Sequence, residues 1–218
     1  MIDGCHLDDA GFAMTLSTSY SGVPIGQRLR VPYQAPAGRR VNAIGARFTH
    51  GPSAGHLAYQ TGAALPKSRA KKARNSVPER AAAHDLTADD VGTIDAARLL
   101  ACIWRVAGRP PDAPAGWKRA RPLTIVLDND AVHKSQTVRE APAALIAADV
   151  HLVYLPAYCP ELSAMEPVWN DVKQHPLPIR SFERVAGLKH AVDEALARKA
   201  HQLQQAKVRT TIFVHPTT

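Results

Sequence analysis

At 218 residues and 23.5 kDa the chain can build one domain of moderate size, which buries enough surface to need no disulfide or metal staple. Its longest apolar runs, such as Leu123 to Leu127, fall far short of the roughly 20 residues of a membrane-spanning helix, which excludes a membrane protein. A net charge of +8 and a pI near 9.7 favour polyanionic partners, nucleic acid above all. Cys5, Cys102 and Cys159 are scattered with no Cys-x-x-Cys pair, which argues against a disulfide framework or a zinc ribbon and for a reducing, cytoplasmic setting.

In chain order, Ile2 to Leu7 reads as a short first strand that ends on the carboxylates of Asp8-Asp9. The following stretch, with Tyr20, Pro24, Gly26, Pro32, Pro36 and Gly38, reads as a loop carrying short extended pieces. Val41 to Thr49 and His56 to Thr61 flank the turn His50-Gly51-Pro52-Ser53 and form an antiparallel hairpin. A basic loop insertion, residues 66–80, carries Lys67, Arg69, Lys71, Lys72 and Arg74. These five side chains are candidates for the DNA backbone, against the plainer reading of a solvated surface.

Ile94, Ala97, Leu100, Ile103, Trp104 and Ala107 recur at helical spacing, with Thr93 as cap and Gly108 ahead of Pro110-Pro111 as the stop. Leu123 to Leu127 is a continuous apolar run expected to be buried on both faces, and it ends at Asp128-Asn129-Asp130. A helix is expected from about Ser135 to Ala148. Val150 to Leu155 then reads as a second buried strand, with His151 a core histidine. Helices follow at Met165 to Gln174 and from Phe182 to about Gln205, the latter capped by Ser181 and apolar along Val185, Leu188, Val192, Leu196 and Leu203. This order predicts an α/β, ribonuclease-H-like fold: a mixed five-stranded sheet flanked by helices, filling residues 1–206, with 207–218 as a C-terminal tail.

In such a sheet, groups at the carboxyl ends of neighbouring parallel strands converge on one crevice. Asp8 and Asp128 stand at two strand ends, and Glu166 opens a helix at Pro167-Val168-Trp169, where a carboxylate meets a favourable dipole. Two close carboxylates resist joint ionisation unless a cation lies between them, and oxygen-only donors suit Mg²⁺ or Mn²⁺ rather than zinc. Taken singly, Asp128-Asn129-Asp130 is equally a turn, Asp8-Asp9 a solvated strand end and Glu166 a first-turn helix carboxylate. Their joint order on the elements is what points to a metal site.

Leu127-Asp128-Asn129 with His133, Leu155-Pro156-x-Tyr158-x-Pro160-Glu161-Leu162 and Met165-Glu166-Pro167-Val168-Trp169 together resemble the catalytic core of mariner-superfamily DDE transposases, bacterial insertion-sequence branch. Leu7-Asp8-Asp9-Ala10-Gly11-Phe12 resembles that family's first-aspartate motif, and Gly26-Gln27-Arg28 and Arg39 to Gly45 resemble the stretch that follows it. The resemblance runs from about Leu7 to at least Arg198. It implies a metal-dependent DNA endonuclease and strand transferase acting in transposition, with Asp8, Asp128 and Glu166 as catalytic metal ligands for two Mg²⁺ or Mn²⁺ ions. Asn129 and His133 would then support those ligands or touch DNA, and Trp169 would pack its helix and so aim Glu166. Of Asp8 and Asp9, successive strand residues facing opposite ways, Asp8 is chosen. Where the family has Asn-Pro-Ile this chain has Ser163-Ala164-Met165, so the turn before Glu166 lacks the proline's constraint.

The implied partners are double-stranded DNA (transposon ends and target), a second copy in a homodimer, and an upstream helix-turn-helix region or polypeptide, since the chain opens on the first catalytic strand. The implied setting is bacterial, cytoplasmic and nucleoid-associated. Two other readings compete: another ribonuclease-H-like DNA nuclease, which would have no need of the Pro-Glu-Leu and Glu-Pro-Val-Trp blocks, and an inactive DNA-binding remnant of a transposase.

Overall fold

The computed structural model describes residues 1–14, 40–65, 76–128, 141–156, 159–175, 177 and 182–213, with side chains through 207. Strand β1 (Asp3–Ala13) is the middle of a five-stranded sheet of order β3-β2-β1-β4-β5. It runs antiparallel to β2 (Arg40–His50), itself antiparallel to β3 (Leu57–Ala64). On its other side it runs parallel to β4 (Leu123–Leu127), itself parallel to β5 (Val150–Tyr154). The mixed sheet expected from the element order is therefore present.

Helices cover both faces. Leu99, Cys102, Ile103 and Val106 of α2 (Ala96–Val106) and Leu145 of α3 (Pro142–Ala147) join Cys5, Leu7, Ile44, Leu123, Ile125 and Leu127 in one core. On the opposite face Val168, Trp169 and Val172 of α4 (Glu166–Gln174) and Val185, Leu188, Val192 and Leu196 of α5 (Val185–Phe213) join Ala10, Phe12, Val41 and Ala43. The alternation of β1 between these cores, and the single inward set Leu123, Ile125 and Leu127 of β4, follow from the two-residue period of a strand. Helix α5 is tied to the sheet by Thr61, whose hydroxyl donates to Asp193 at 2.5 Å, and by Lys189, which pairs with Asp193 at 2.8 Å and Asp90 at 3.0 Å. No described helix is long and apolar enough to cross a membrane.

Several boundaries differ from the sequence reading, each for a local reason. Strand β1 does not stop at Leu7: β2 goes on pairing with it through Ala13, after β4 has ended at Leu127. The segment expected as a basic loop, 66–80, contains a short helix, α1 (Val77–Ala82), nucleated by a capping box in which Ser76 and Glu79 satisfy each other's backbone N–H. The cap of α2 is Asp95, which accepts from the Arg98 N–H, rather than Thr93. Strand β4 alternates between buried and half-buried residues instead of being buried on both faces. Strand β5 is an edge, so Val153 and Tyr154 are 48 % and 39 % exposed and His151 is a surface residue, not a core one. Helix α5 starts at Val185 rather than Phe182 and runs to Phe213, across the boundary expected at 206. Ser181 lies outside the described residues, as do residues 15–39 and, of the helix expected from Ser135 to Ala148, residues 135–140.

The β2–β3 hairpin is closed over Asp3, a fully buried carboxylate held by Arg119 at 2.8 Å, Arg121 at 3.7 Å and the Ser53 N–H at 3.2 Å. Gly51 passes this carboxylate at φ +81°, and a Cβ there would meet the Ile2 carbonyl oxygen at 2.5 Å and Asp3 Oδ1 at 2.6 Å. Gly51→Ala is expected to destabilise the fold by roughly 1–3 kcal/mol. Urea unfolding measures this, and a variant within a few tenths of a kcal/mol of the parent would show that the hairpin is not anchored on Asp3.

Candidate active site at the carboxyl end of β1 and β4

The parallel register between β1 and β4 pairs His6 with Val126 and Leu7 with Leu127. One step further along both strands come Asp8 and Asp128. Strand neighbours in register lie about 4.8 Å apart with side chains on the same face. Leu7 and Leu127 both enter the α2–α3 core, so Asp8 turns to the opposite face, which carries α4, and Asp128, the residue just beyond β4, is near enough for its charge to act on Asp8. Asp9 turns the other way, as strand alternation demands. Asp8 thus lies mid-strand with respect to β2, opposite Gly45, yet at the mouth left where β4 ends.

The electrostatics of Asp8 follow from that position. Burial pushes its carboxyl pKa up to about 6, and the charges of Asp128 and Asp9 push the same way. Hydrogen bonds from the Asp9 N–H at 2.8 Å and from Trp169 Nε1 at 3.2 Å work against the rise. A half-buried carboxylate held beside a second one is a pair that gains from a cation.

Glu166 is the first residue of α4. Trp169, one turn along the same helix face, is the residue that reaches Asp8, so that face of α4 lies over the end of β1. The approach depends on Gly45: a Cβ there would sit 2.9 Å from both Met165 Cε and Trp169 Cη2. Trp169 and Met165 are fully buried in the slot, and Trp169 meets Phe12 edge-on at 6.3 Å.

The turn before Glu166 is held from the sheet. His6 and Arg47 are cross-strand partners on β1 and β2. The Ala164 N–H donates to His6 Nδ1 at 3.2 Å, and Arg47 Nη1 donates to the Ala164 carbonyl at 3.2 Å. The buried Ser163 hydroxyl accepts from the Met165 N–H at 3.3 Å, and the Ser163 N–H closes the Pro160–Leu162 turn onto the Pro160 carbonyl at 2.9 Å. Burial, reinforced by His50 and Arg47, keeps the His6 pKa below its ordinary value, so the ring stays neutral and Nδ1 remains an acceptor.

The structure therefore brings Asp8, Asp128 and Trp169 together and sets Glu166 on the same face. Among the described residues no three His, Cys, Asp or Glu side chains stand close enough to hold a metal ion jointly, so Glu166 does not close on the aspartates. The donors present are carboxylate oxygens only, and the mutually repelling Asp8–Asp128 pair fits a hard divalent cation. Asn129, His133, Lys67, Arg69, Lys71, Lys72 and Arg74 lie outside the described residues, as do Gly26-Gln27-Arg28 and Arg39. Sequence reasoning missed Gly45, His6 and Arg47. A glycine in the interior of a β-branched strand was the available sign of a close approach.

A sequence profile described as "DDE superfamily endonuclease" matches residues 80–189, half of the chain, including Asp128 and Glu166 but not Asp8. No curated protein matches the chain. Among solved structures it is similar to the Mos1 strand transfer complex, with 17 % identity, a TM-score of 0.50, 94 % of this chain covered and 52 % of that one. It is also similar to the Mos1 transposase paired-end complex with left transposon end, with 15 % identity, a TM-score of 0.51 and 93 % and 52 % covered. The mariner Mos1 paired-end complex with Mg matches at 14 % identity, a TM-score of 0.52, and 93 % and 52 % covered. The chain spans about half the length of these solved chains, which share its ribonuclease-H-like fold. With the profile match extending over half its residues, the chain belongs to the DDE superfamily endonucleases.

Proposed function

We propose that this chain is a transposase catalytic domain that cuts double-stranded DNA at transposon ends and joins the freed 3′ ends to a target. The observation that carries this reading is the Asp8–Asp128 pair: a carboxylate on β1 and a second just past the end of the neighbouring parallel strand β4, close enough for its charge to act on Asp8, whose burial raises its pKa to about 6. Membership of an endonuclease family supports it, as does the likeness to transposase complexes solved with Mn and with Mg.

Asp8, Asp128 and Glu166 are the residues we assign to hold Mg²⁺ or Mn²⁺. Two such ions, when bound, would supply activation of the attacking oxygen and charge neutralisation at the leaving 3′-oxygen. The chain's own part is positional. Strand β1 carries Asp8, Asp128 follows the last residue of its neighbour β4, and Glu166 opens α4. In hydrolysis a water oxygen forms the new bond to phosphorus and the 3′-oxygen leaves with a proton; in strand transfer that 3′-hydroxyl oxygen forms the new bond to a target phosphorus, giving up its proton, and the target strand's own 3′-oxygen leaves. The basic segment with Lys67, Arg69, Lys71, Lys72 and Arg74 is assigned to the DNA backbone. A homodimer, an upstream helix-turn-helix region or polypeptide, and a nucleoid location complete the proposal.

The test is nicking of supercoiled plasmid by the full chain in Mn²⁺, compared with EDTA and with Asp128→Asn. We expect cleavage only with metal, and a drop of roughly a thousandfold in the variant, equivalent to several kcal/mol of barrier. Cleavage that is the same in wild type and variant would overturn the assignment. The second reading, an inactive DNA-binding remnant, is favoured by the failure of Glu166 to join the aspartates among the described residues. It predicts DNA binding with no metal-dependent cleavage.

A further inference from the structure

We infer that the cross-strand pair His6 and Arg47 is a positioning device that fixes Glu166 by gripping the Ala164 peptide from both sides. The inference rests on the functional reading above. The two bonds, Ala164 N–H to His6 Nδ1 and Arg47 Nη1 to the Ala164 carbonyl, are both 3.2 Å long. They come from adjacent strands at one level of the sheet, one pleat before Asp8, so a single peptide plane is held by its donor and its acceptor together.

The sequence makes this grip possible. A proline at 164 would have no N–H to give and would fix the turn through its ring instead. Ala164 frees a donor, and His6 supplies the matching acceptor. The chain downstream has little slack: Met165 is buried against Gly45, the Glu166 N–H bonds the Ser163 carbonyl at 3.3 Å, and α4 begins at once. Holding the Ala164 plane therefore sets the backbone from which Glu166 projects. With Trp169 fixed to Asp8 one turn later, α4 is pinned to β1 on either side of the glutamate. His6 and Arg47 are positioning residues, since neither is asked to touch the metal or DNA.

The experiment uses the full chain and Mn²⁺ itself, with ion affinity read from the free-Mn²⁺ electron paramagnetic resonance signal and exchange of the Ala164 amide read by mass spectrometry or NMR. Wild type, Glu166→Gln, His6→Leu, His6→Asn and Arg47→Met are compared. We expect His6→Leu and Arg47→Met to weaken Mn²⁺ by about tenfold, the low end of the range for residues that orient metal ligands. The amide should exchange faster in His6→Leu. His6→Asn, which restores an acceptor oxygen near the Nδ1 position, should recover most of the affinity. If wild type binds Mn²⁺ better than Glu166→Gln, but His6→Leu and Arg47→Met bind as wild type does, the clamp is overturned and the site stands. Loss of affinity that Asn fails to recover, with the Ala164 amide unaffected, also overturns it. If wild type binds no better than Glu166→Gln, the functional reading itself falls, and the clamp with it. Should His6→Leu fail to fold, Arg47→Met and His6→Asn give the same decision.

Discussion

Asp8→Asn will make the protein more stable at neutral pH and, in the same stroke, insensitive to divalent metal. The Asp8 carboxyl is raised from 3.8 to about 6, chiefly by burial and further by Asp128. Because the folded state holds this proton more tightly than the unfolded chain, stability falls as pH rises from about 4 to about 6, and the full penalty stands above that. A shift of this size corresponds to roughly 3 kcal/mol of penalty at pH 7. Asparagine keeps the shape and one acceptor oxygen without the charge. We therefore expect Asp8→Asn to gain about 1–3 kcal/mol at pH 7–8, a rise in Tm of about 2–12 °C for a chain of this size, and to match the parent near pH 4. Millimolar Mn²⁺ should raise the Tm of wild type and leave that of the variant alone. Both arms come from one thermal-denaturation series. A variant less stable than wild type at pH 7 would mean that Asp8 is an ordinary structural residue, and a variant still stabilised by Mn²⁺ would move the metal elsewhere.

That a residue should be costly to the fold and needed by the site explains why this part of the molecule was legible in sequence. Asp8 and Asp128 interrupt strands that otherwise follow the rules: Leu123 to Leu127 is apolar up to the residue where it stops, and the carboxylates stand where burial would normally forbid them. The strands and the two long helices were readable for the opposite reason, since their apolar spacing agrees with their period. What local pattern could not carry was neighbourhood. Val150 to Tyr154 has the composition of a central strand and lies at the edge, because strand order is set by crossovers rather than by the strand itself. His151 was misplaced with it. Ser76 and Glu79 did announce a helix start, but among so many cations the segment read as loop. Gly45, His6 and Arg47 belong to the site only through register: nothing in the sequence says that position 45 will lie opposite position 8, or that 6 and 47 will meet the peptide of residue 164.

Trp169 joins the fold to the site, and two substitutions separate its roles. Its ring is fully buried, fills the slot above Gly45 and meets Phe12, while Nε1 donates to Asp8 Oδ2 at 3.2 Å. Trp169→Ala removes the packing and the donor together and should destabilise the fold by roughly 3–5 kcal/mol, as large core truncations do. Trp169→Phe retains most of the apolar contact and loses the N–H. Since that hydrogen bond lowers the Asp8 pKa, its loss should carry the pKa above about 6, so that near neutral pH a larger share of Asp8 is protonated and unable to bind a cation. Titrating the Asp8 carboxyl by ¹³C NMR in Trp169→Phe, beside Mn²⁺ affinity at pH 6 and pH 8, measures this. We expect a metal-binding deficit that is larger at pH 6 and shrinks at pH 8, on a fold that has lost much less stability than Trp169→Ala. An unshifted Asp8 pKa with an equal deficit at both pH values would show that the tryptophan acts only by filling space, and that the aim of α4 is set by the turn and the Gly45 slot alone.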